Sequence, residues 1–135
     1  MLLVKTKIKE SQIAGYGLFA DEFIPKDTII WKLNELIDKV IPVSDLDKFT
    51  QLERDFLDMY AYREGNNIIL CSDNGRYFNH SATPNTIDLI DERGSLTIAK
   101  VDINIGEELV SDYSSFDADF HKIKKMKMMI MKNHK

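Results

Sequence analysis

The chemically densest part of the sequence is residues 76–85, RYFNHSATPN. The amide of Asn79, the imidazole of His80 and the amide of Asn85 follow two aromatic side chains. Asn and Ser side chains can hold tight turns, and Pro84 fixes its own φ and keeps the preceding residue extended. The stretch is therefore predicted to be a loop. Its hydrogen-bonding groups could hold a polar ligand if other parts of the chain meet them.

A second motif places two glycines around a tyrosine, Gly15-Tyr16-Gly17. Glycine accepts positive φ and lets a ligand approach the backbone closely. The motif alone also fits a simple turn between strands. It is not a dinucleotide-binding fingerprint, because no third glycine or following helical pattern is present.

The composition indicates one soluble domain. The chain has 135 residues, of which 44% are hydrophobic and 30% charged. The lone Cys71 excludes an intrachain disulfide and a cysteine-based zinc site, and it is predicted to be a packing residue. Neither a membrane-spanning segment nor a signal-peptide layout is found. A cytoplasmic location is expected, while a nuclear, chromatin-associated or host-delivered protein remains open.

The charge is unevenly distributed. Residues 121–135 hold six lysines and no acid, whereas the 120 residues before them carry 12 basic and 22 acidic side chains. An acidic body does not favour nucleic-acid binding but suits a lysine-rich peptide; ordinary solubility charge is the alternative. The Met- and Lys-rich tail, 121–135, is predicted to be a docking helix, a homodimer contact or a frayed terminus, and is too short for a membrane anchor.

Short apolar runs and glycine-rich turns predict a β-rich α+β domain with one helical insert, at about residues 44–62. Within the insert, apolar residues at three- and four-residue spacing predict one amphipathic helix, 45–60, with its aromatic side chains in the core. Leu96, Ile98 and Val101 are predicted to point inward. The strand predictions cover residues 3–9, 28–31, 68–71, 86–90, 95–101 and 109–113, and residues 21–27 are predicted to be a strand followed by a turn.

Three ordered motifs connect the chain to a known family. They are GYGLFA at 15–20, RYFNHSATPN at 76–85, and GEEL at 106–109 followed by Asp112-Tyr113. In this order and spacing the sequence resembles the SET-domain protein-lysine methyltransferases over nearly its whole length, with 1–120 as the SET domain. The resemblance implies a fold of several small sheets with a knot-like C-terminal crossing. It also implies S-adenosyl-methionine as methyl donor, no metal, and a lysine-containing protein or peptide as substrate.

The resemblance also implies roles for individual residues. The hydroxyl of Tyr113 is expected at the point of methyl transfer, while Asp112 and Glu107 anchor the crossing. His80 is expected to meet the adenine through its backbone and to have a structural side chain. The full set is catalytic Tyr113; cofactor-binding Gly15, Tyr16, Gly17, Arg76, Asn79, His80 and Phe116; and substrate-binding Tyr60, Tyr62 and Ser111.

Several positions depart from the family pattern. Ser111 stands where Phe or Tyr often tunes the number of methyl groups added, so that number is left open. Lys32 replaces a common aromatic, and the zinc-binding C-terminal cysteines are missing. Phe116 and Phe120 either close over the adenine instead or pack a terminal helix. A non-catalytic SET-like module that binds a basic peptide or partner protein remains the alternative.

Overall fold

The computed structural model describes residues 1–115, which form ten β-strands, one α-helix and three short 3-10 helices. The strands are β1 (Thr6–Glu10), β2 (Tyr16–Ala20), β3 (Ile29–Lys32), β4 (Lys39–Pro42), β5 (Tyr62–Glu64), β6 (Asn67–Leu70), β7 (Asn79–His80), β8 (Thr86–Asp91), β9 (Gly94–Ala99) and β10 (Val110–Ser111). The helix α1 is Gln51–Tyr60, and the 3-10 helices are Val43–Lys48, Asn74–Tyr77 and Tyr113–Ser115.

These strands form four small sheets. β1 and β2 make an antiparallel pair, and two three-stranded antiparallel sheets have the orders β3-β9-β8 and β4-β6-β5. β7 and β10 form a parallel pair that joins distant parts of the sequence. The predicted β-rich α+β class is confirmed, as is the β8–β9 hairpin, whose ends pair at Asp91 and Gly94.

Two hydrophobic clusters hold the sheets together. The first joins the β1–β2 pair to the β3–β9 sheet and to the loops after β9, and its buried members are Leu18, Ala20, Ile24, Ile30, Ala99, Ile103 and Leu109. The second lies under the helical insert and consists of Ile41, Leu57, Ala61 and Ile68. Burial of such apolar surface is the main stabilising contribution to folding. The first cluster therefore fixes the strands from which the three ordered motifs project.

The helical insert differs from its prediction because it is broken into two pieces. A 3-10 helix, Val43–Lys48, ends before Phe49, and α1 starts after Thr50. The Thr50 side chain accepts a bond from the Glu53 backbone N–H, and the Glu53 carboxylate accepts one from the Thr50 N–H. This reciprocal capping satisfies two N–H groups at a helix start. The prediction of a single helix over residues 45–60 is therefore wrong.

The helix also exposes part of its apolar face. Leu57 is buried, but Phe56 is 42% exposed and Leu52 is 79% exposed. The Phe56 ring lies 5.2 Å from the ring of Tyr60, and the guanidinium of Arg76 lies 5.8 Å from the Phe56 centroid. The prediction that the aromatic residues of this helix are core is wrong for Phe56.

Several strand predictions also need correction. Within 21–27, the predicted strand is reduced to one β-bridge between Ile24 and Ile103, because Pro25 interrupts the pairing, and the predicted turn follows at residues 26–27. β4 and β5 were not predicted. Val101 is 47% exposed rather than inward. The predicted last strand, 109–113, is reduced to β10 and then turns into a 3-10 helix.

The loop predicted for residues 76–85 contains regular structure. Its first residues complete the 3-10 helix Asn74–Tyr77, and Asn79–His80 forms β7. Asp73 starts the 3-10 turn by accepting a 3.0 Å bond from the Gly75 N–H. The remainder, from Ser81 to Asn85, is the loop that leads into β8.

The chain crosses itself where β10 lies between β7 and the start of β8. On one side, the Ser81 N–H donates to the Ser111 carbonyl at 2.9 Å. On the other, the Thr86 hydroxyl donates to the Val110 carbonyl at 2.8 Å. The Asn85 side chain donates to the Glu108 carbonyl at 2.8 Å and accepts from the Val110 N–H at 3.0 Å. One amide side chain thus replaces a strand neighbour at the crossing.

Replacing Asn85 by alanine is expected to lower the free energy of unfolding by about 2 kcal/mol, because one buried N–H and one carbonyl of the crossing lose their partners. Urea unfolding followed by circular dichroism measures this effect. Asn67→Ala, at an exposed position of β6, is the matched control. An Asn85→Ala midpoint equal to that of the control would show that water replaces both bonds without loss.

Candidate active site

Asn79 brings the motifs at 15–17 and 106–109 together. Its side chain is buried, with 5% of the residue exposed, at the start of β7. The amide nitrogen lies 3.2 Å from the carbonyl oxygens of Ala14 and Tyr16 and 2.9 Å from Oε2 of Glu108. Packing of β7 beside β10 places it there. Distant parts of the sequence therefore share one polar centre.

Glu108 is a site residue that sequence reasoning missed. Its carboxylate accepts from Asn79 and also from the Ser11 hydroxyl, at 2.8 and 3.0 Å. Hydrogen bonds to an ionised carboxylate are stronger than those between neutral groups, so these donors hold the Glu108 side chain firmly. Of the two residues predicted to anchor the crossing, Glu107 instead accepts from the Asn104 N–H in a turn, at 3.2 Å. Asp112 accepts from Ser114.

The two glycines of the 15–17 motif are favoured at their positions for different physical reasons. Gly15 has a φ of +46°, which a residue with a side chain rarely adopts. At Gly17 a Cβ would lie 2.4 Å from Oε2 of Glu108, so any side chain there would displace this carboxylate from its bond to Asn79. Between them, Tyr16 remains 58% exposed, so its ring is open to a ligand.

His80 positions Tyr113 through its side chain. The His80 Nδ1 accepts a 3.1 Å hydrogen bond from the Tyr113 backbone N–H, and the two rings are 5.4 Å apart. The Asp112 carboxylate is 3.8 Å from the same nitrogen. Accepting this bond requires a lone pair on Nδ1, so the proton of a neutral imidazole is on Nε2. The His80 side chain thus contacts the backbone of Tyr113, and the expected roles of this side chain and of the His80 backbone towards adenine stay predictions.

Tyr113 is held at both its backbone and its hydroxyl. The residue is 7% exposed, and its hydroxyl donates to the backbone carbonyl of Phe78. A phenolic oxygen that donates its proton can also act as a hydrogen-bond acceptor. Both residues line a cavity of about 380 Å³.

This cavity brings the predicted substrate residues together with Tyr113. Tyr60, Tyr62 and Ser111 all contribute to its wall. Burial raises the pKa of the Tyr62 phenol, so this hydroxyl stays neutral at physiological pH. The predicted cofactor residues Gly15, Tyr16, Gly17, Asn79 and His80 lie outside the cavity wall, next to its Tyr113 end through the bonds described above.

Arg76 lines the cavity and does not lie with the other predicted cofactor residues. Its Nε donates to the Cys71 carbonyl at 3.2 Å, and its guanidinium lies 5.7 Å from the Tyr60 ring centroid. The geometry gives it a role in the cavity wall, and contact with the cofactor carboxylate stays a prediction. Cys71 is buried beside it, and burial raises the pKa of its thiol to about 12. The thiol is therefore protonated at neutral pH, as a packing residue would be.

Two further cavity residues were not predicted. Asp88 accepts a 2.7 Å bond from the Thr97 hydroxyl, but its buried Oδ2 has no hydrogen-bond partner within residues 1–115. The same holds for Nε1 of Trp31, which is 5% exposed. Burial raises the pKa of Asp88 from 3.8 to about 6. Strand alternation was the available signal, because Asp88 shares a face with buried Thr86.

Replacing Asp88 by asparagine is expected to stabilise the protein at pH 8 by about 1–2 kcal/mol. The folded-state pKa is raised, so the native state binds more protons than the unfolded chain between about pH 4 and 6. Stability contributed by protonation is therefore lost as pH rises through this window, and asparagine lacks this dependence. Thermal unfolding at pH 4 and 8 checks it; a lower melting temperature for Asp88→Asn at pH 8 would contradict it.

The described part of the chain shows neither a metal-ligand cluster nor a membrane-spanning helix. Residues 1–115 contain no group of three or more His, Cys, Asp or Glu side chains placed to hold a metal ion. No helix in the same range has the length and apolar character needed to cross a bilayer. The predicted roles of Phe116 and Phe120, and of the 121–135 tail, lie outside the described residues.

Comparison with known proteins identifies the family. The SET-domain sequence pattern matches residues 15–114. The chain is 30% identical over 118 residues to the histone-lysine N-methyltransferase set1 of Dictyostelium discoideum; the match covers 81% of this chain but only 8% of that protein. This chain thus corresponds to a small part of its relative.

Solved structures share the fold. A putative histone methyltransferase of Plasmodium falciparum has a TM-score of 0.56 and 23% identity, with 83% of this chain and 95% of that one covered. The polycomb repressive complex 2 of Chaetomium thermophilum has a TM-score of 0.65 and 24% identity, with 82% of this chain and 15% of that chain covered.

The chain belongs to the SET-domain family, and the SET-domain fold predicted from its sequence is confirmed. Among its relatives is a histone-lysine methyltransferase, so the family-level resemblance to lysine methyltransferases is confirmed as well. The roles of individual residues stay predictions.

Proposed function

We propose that this protein is an S-adenosyl-methionine-dependent protein-lysine N-methyltransferase. The single observation that carries the proposal is the placement of Tyr113, which lines the cavity with Tyr60 and Tyr62 and whose hydroxyl bonds the carbonyl of Phe78, the residue before Asn79. A methyl donor and an acceptor amine must meet in line at one point. A tyrosine between two binding regions is placed to organise that meeting.

The polar centre suits the proposed cofactor by its chemistry. The segment from Gly15 to Gly17 offers backbone groups and the exposed ring of Tyr16. Asn79 offers the oxygen of its amide, since the amide nitrogen donates to Ala14, Tyr16 and Glu108. Amide and backbone groups are appropriate partners for the ammonium and carboxylate of an amino-acid moiety, and an open aromatic ring can pack on adenine. When bound, S-adenosyl-methionine supplies an electrophilic methyl group on a sulfonium.

The cavity residues would act on the lysine side chain. Tyr60, Tyr62 and Phe78 provide aromatic walls for its methylene groups. Removal of water from the amine lowers its pKa, which favours the neutral form that a methyl transfer needs. The Tyr113 oxygen, whose proton is directed to Phe78, can accept an N–H of that amine and orient the nitrogen lone pair.

A protein substrate of histone type is the proposed class. The D. discoideum relative is a histone-lysine methyltransferase. The 120 residues before the lysine-rich tail have 12 basic and 22 acidic side chains, a balance that favours association with a basic segment. This charge supports encounter with the peptide and does not select one lysine.

Two measurements on the full chain test the function. Calorimetric titration with S-adenosyl-methionine is expected to show binding, and tritiated methyl transfer is expected to label lysine-rich peptides that carry histone-tail sequences. Each peptide is paired with a Lys→Arg version, which should remain unlabelled. If the chain does not bind S-adenosyl-methionine, the proposed function is wrong. Cofactor binding without transfer to any peptide or to proteins of a cell lysate would favour the non-catalytic SET-like module.

A further inference from the structure

The wall of the 380 Å³ cavity contains the carboxylate of Asp88, one oxygen of which lacks a hydrogen-bond donor among residues 1–115. Its Oδ1 accepts from the Thr97 hydroxyl at 2.7 Å, no donor among residues 1–115 is in hydrogen-bonding geometry with its Oδ2, and the Ser111 hydroxyl, a neutral group, also interacts with the carboxylate. Burying a charged oxygen without a partner costs free energy, and such groups are normally paired or hydrogen-bonded. A cationic ligand in the cavity would supply the missing partner.

The other groups facing Asp88 do not neutralise it. Ser111 and Thr97 are hydroxyls, and Glu64 is a second carboxylate in the cavity wall, bound to the Ser95 hydroxyl at 2.9 Å. Arg76 is the cation of the described wall, and its guanidinium is directed to the Cys71 carbonyl and to aromatic rings. The remaining titratable groups around Asp88 or in this wall are Asp112, Tyr60, Tyr62, Cys71 and Tyr113.

We propose that Asp88 is the charge-recognition residue of this cavity and binds the ammonium group of the incoming substrate lysine. The inference rests on the proposed methyltransferase function for the identity of the ligand. The shape and lining agree with that ligand, since aromatic side chains surround an acidic wall and can hold the methylene chain. Asp88 thus acts in the capture of the charged amine and selects a cation over a neutral chain of equal length. Because a carboxylate partner favours the charged form, the amine leaves Asp88 and loses its proton to water before it accepts the methyl group.

Trp31 provides a direct readout that needs no activity. It is the single tryptophan of the chain, and it lines the same cavity as Asp88. n-Butylammonium matches the lysine side chain from Cβ to the amine, and n-butanol is its neutral counterpart. Fluorescence titration of the wild-type full chain is expected to show about 10-fold tighter binding of n-butylammonium than of n-butanol, since a hydrogen bond to a charged group supplies that difference.

Asp88→Asn is expected to abolish the preference for the cation while n-butanol binds as before. Asp91→Asn is the matched control, because Asp91 lies on the same strand but is exposed and paired with Arg93 at 2.7 Å. The wild-type affinity for n-butylammonium should also fall as pH decreases from 7 to 5, since the amine stays protonated there and Asp88, with a pKa near 6, loses its charge. The Asp88→Asn variant should be insensitive to pH over this range.

In the methyltransferase assay, Asp88→Asn is expected to raise the KM for a lysine peptide about 10-fold, with a smaller change in kcat. If the wild type methylates the peptide and Asp88→Asn has the same KM and the same amine selectivity, this inference is overturned and the proposed function stands. If no methyl transfer occurs but the amine preference depends on Asp88, the cation site stands and the proposed function fails. Unchanged circular dichroism of the variant excludes misfolding as the cause.

Discussion

Tyr113→Phe is expected to slow methyl transfer by about 100-fold or more, with the affinity for S-adenosyl-methionine changed by less than about twofold. Loss of one positioned hydrogen-bonding group at a reacting centre has effects of this size on kcat. The hydroxyl is fixed by the Phe78 carbonyl, and the backbone N–H of the same residue is fixed by His80. Phenylalanine keeps the ring and the backbone bond, so only the hydroxyl is removed.

Single-turnover transfer of a tritiated methyl group measures this rate, and calorimetry measures cofactor affinity. Tyr77→Phe is the matched control, because Tyr77 precedes Phe78, the residue that Tyr113 bonds, but packs against the first hydrophobic cluster. The control should transfer methyl groups at the wild-type rate. A Tyr113→Phe variant as fast as the control would remove Tyr113 from the chemistry, and a parallel loss of cofactor binding would make its role structural.

The short-range features of the fold were largely predictable from the sequence. The β8–β9 hairpin follows from two apolar runs separated by a polar turn that ends in Gly94, which has a φ of +102°. The break in the helical insert had a signal too, since Thr50 and Glu53 have the spacing of a capping box. Helical periodicity of the apolar residues continued across this break and concealed it.

The long-range features could not be derived from local patterns. Asn85 completes the crossing by bonding residues 108 and 110, and Glu108 meets Ser11 from the other end of the chain. Neither contact leaves a periodic or spacing signal. The site residues were predicted because the order of the three motifs resembles that of a known family. The residue types alone did not show that Glu108, and not Glu107, faces the site.

The cavity, too, could be predicted only in part from local sequence patterns. Alternation along β8 places Asp88 on the face of buried Thr86, yet the cavity also needs Trp31 from β3 and Tyr62 from β5. Those three strands belong to two different sheets. The open space between the sheets, and therefore the unpaired oxygen of Asp88, arises only when both sheets are assembled.

Replacing Asn79 by alanine is expected to weaken S-adenosyl-methionine binding by about 100-fold, the loss expected when hydrogen bonds to charged groups are removed. The change also removes the donor shared by the Ala14 and Tyr16 carbonyls and by Glu108. The free energy of unfolding should therefore fall by about 2 kcal/mol. Calorimetric titration and urea unfolding measure the two effects, with the exposed Asn104→Ala as control.

Glu108→Gln separates direct contact from positioning at this centre. In the wild type, Ser11 and Asn79 donate to the two carboxylate oxygens of Glu108. Glutamine keeps the size of this side chain but has a single acceptor oxygen for both donors. If Asn79 contacts the cofactor itself, Glu108→Gln should lose only a few-fold in affinity while Asn79→Ala loses about 100-fold. Equal losses would instead assign Asn79 to holding the 14–17 turn in place. Wild-type affinity in the Asn79→Ala variant would contradict both roles.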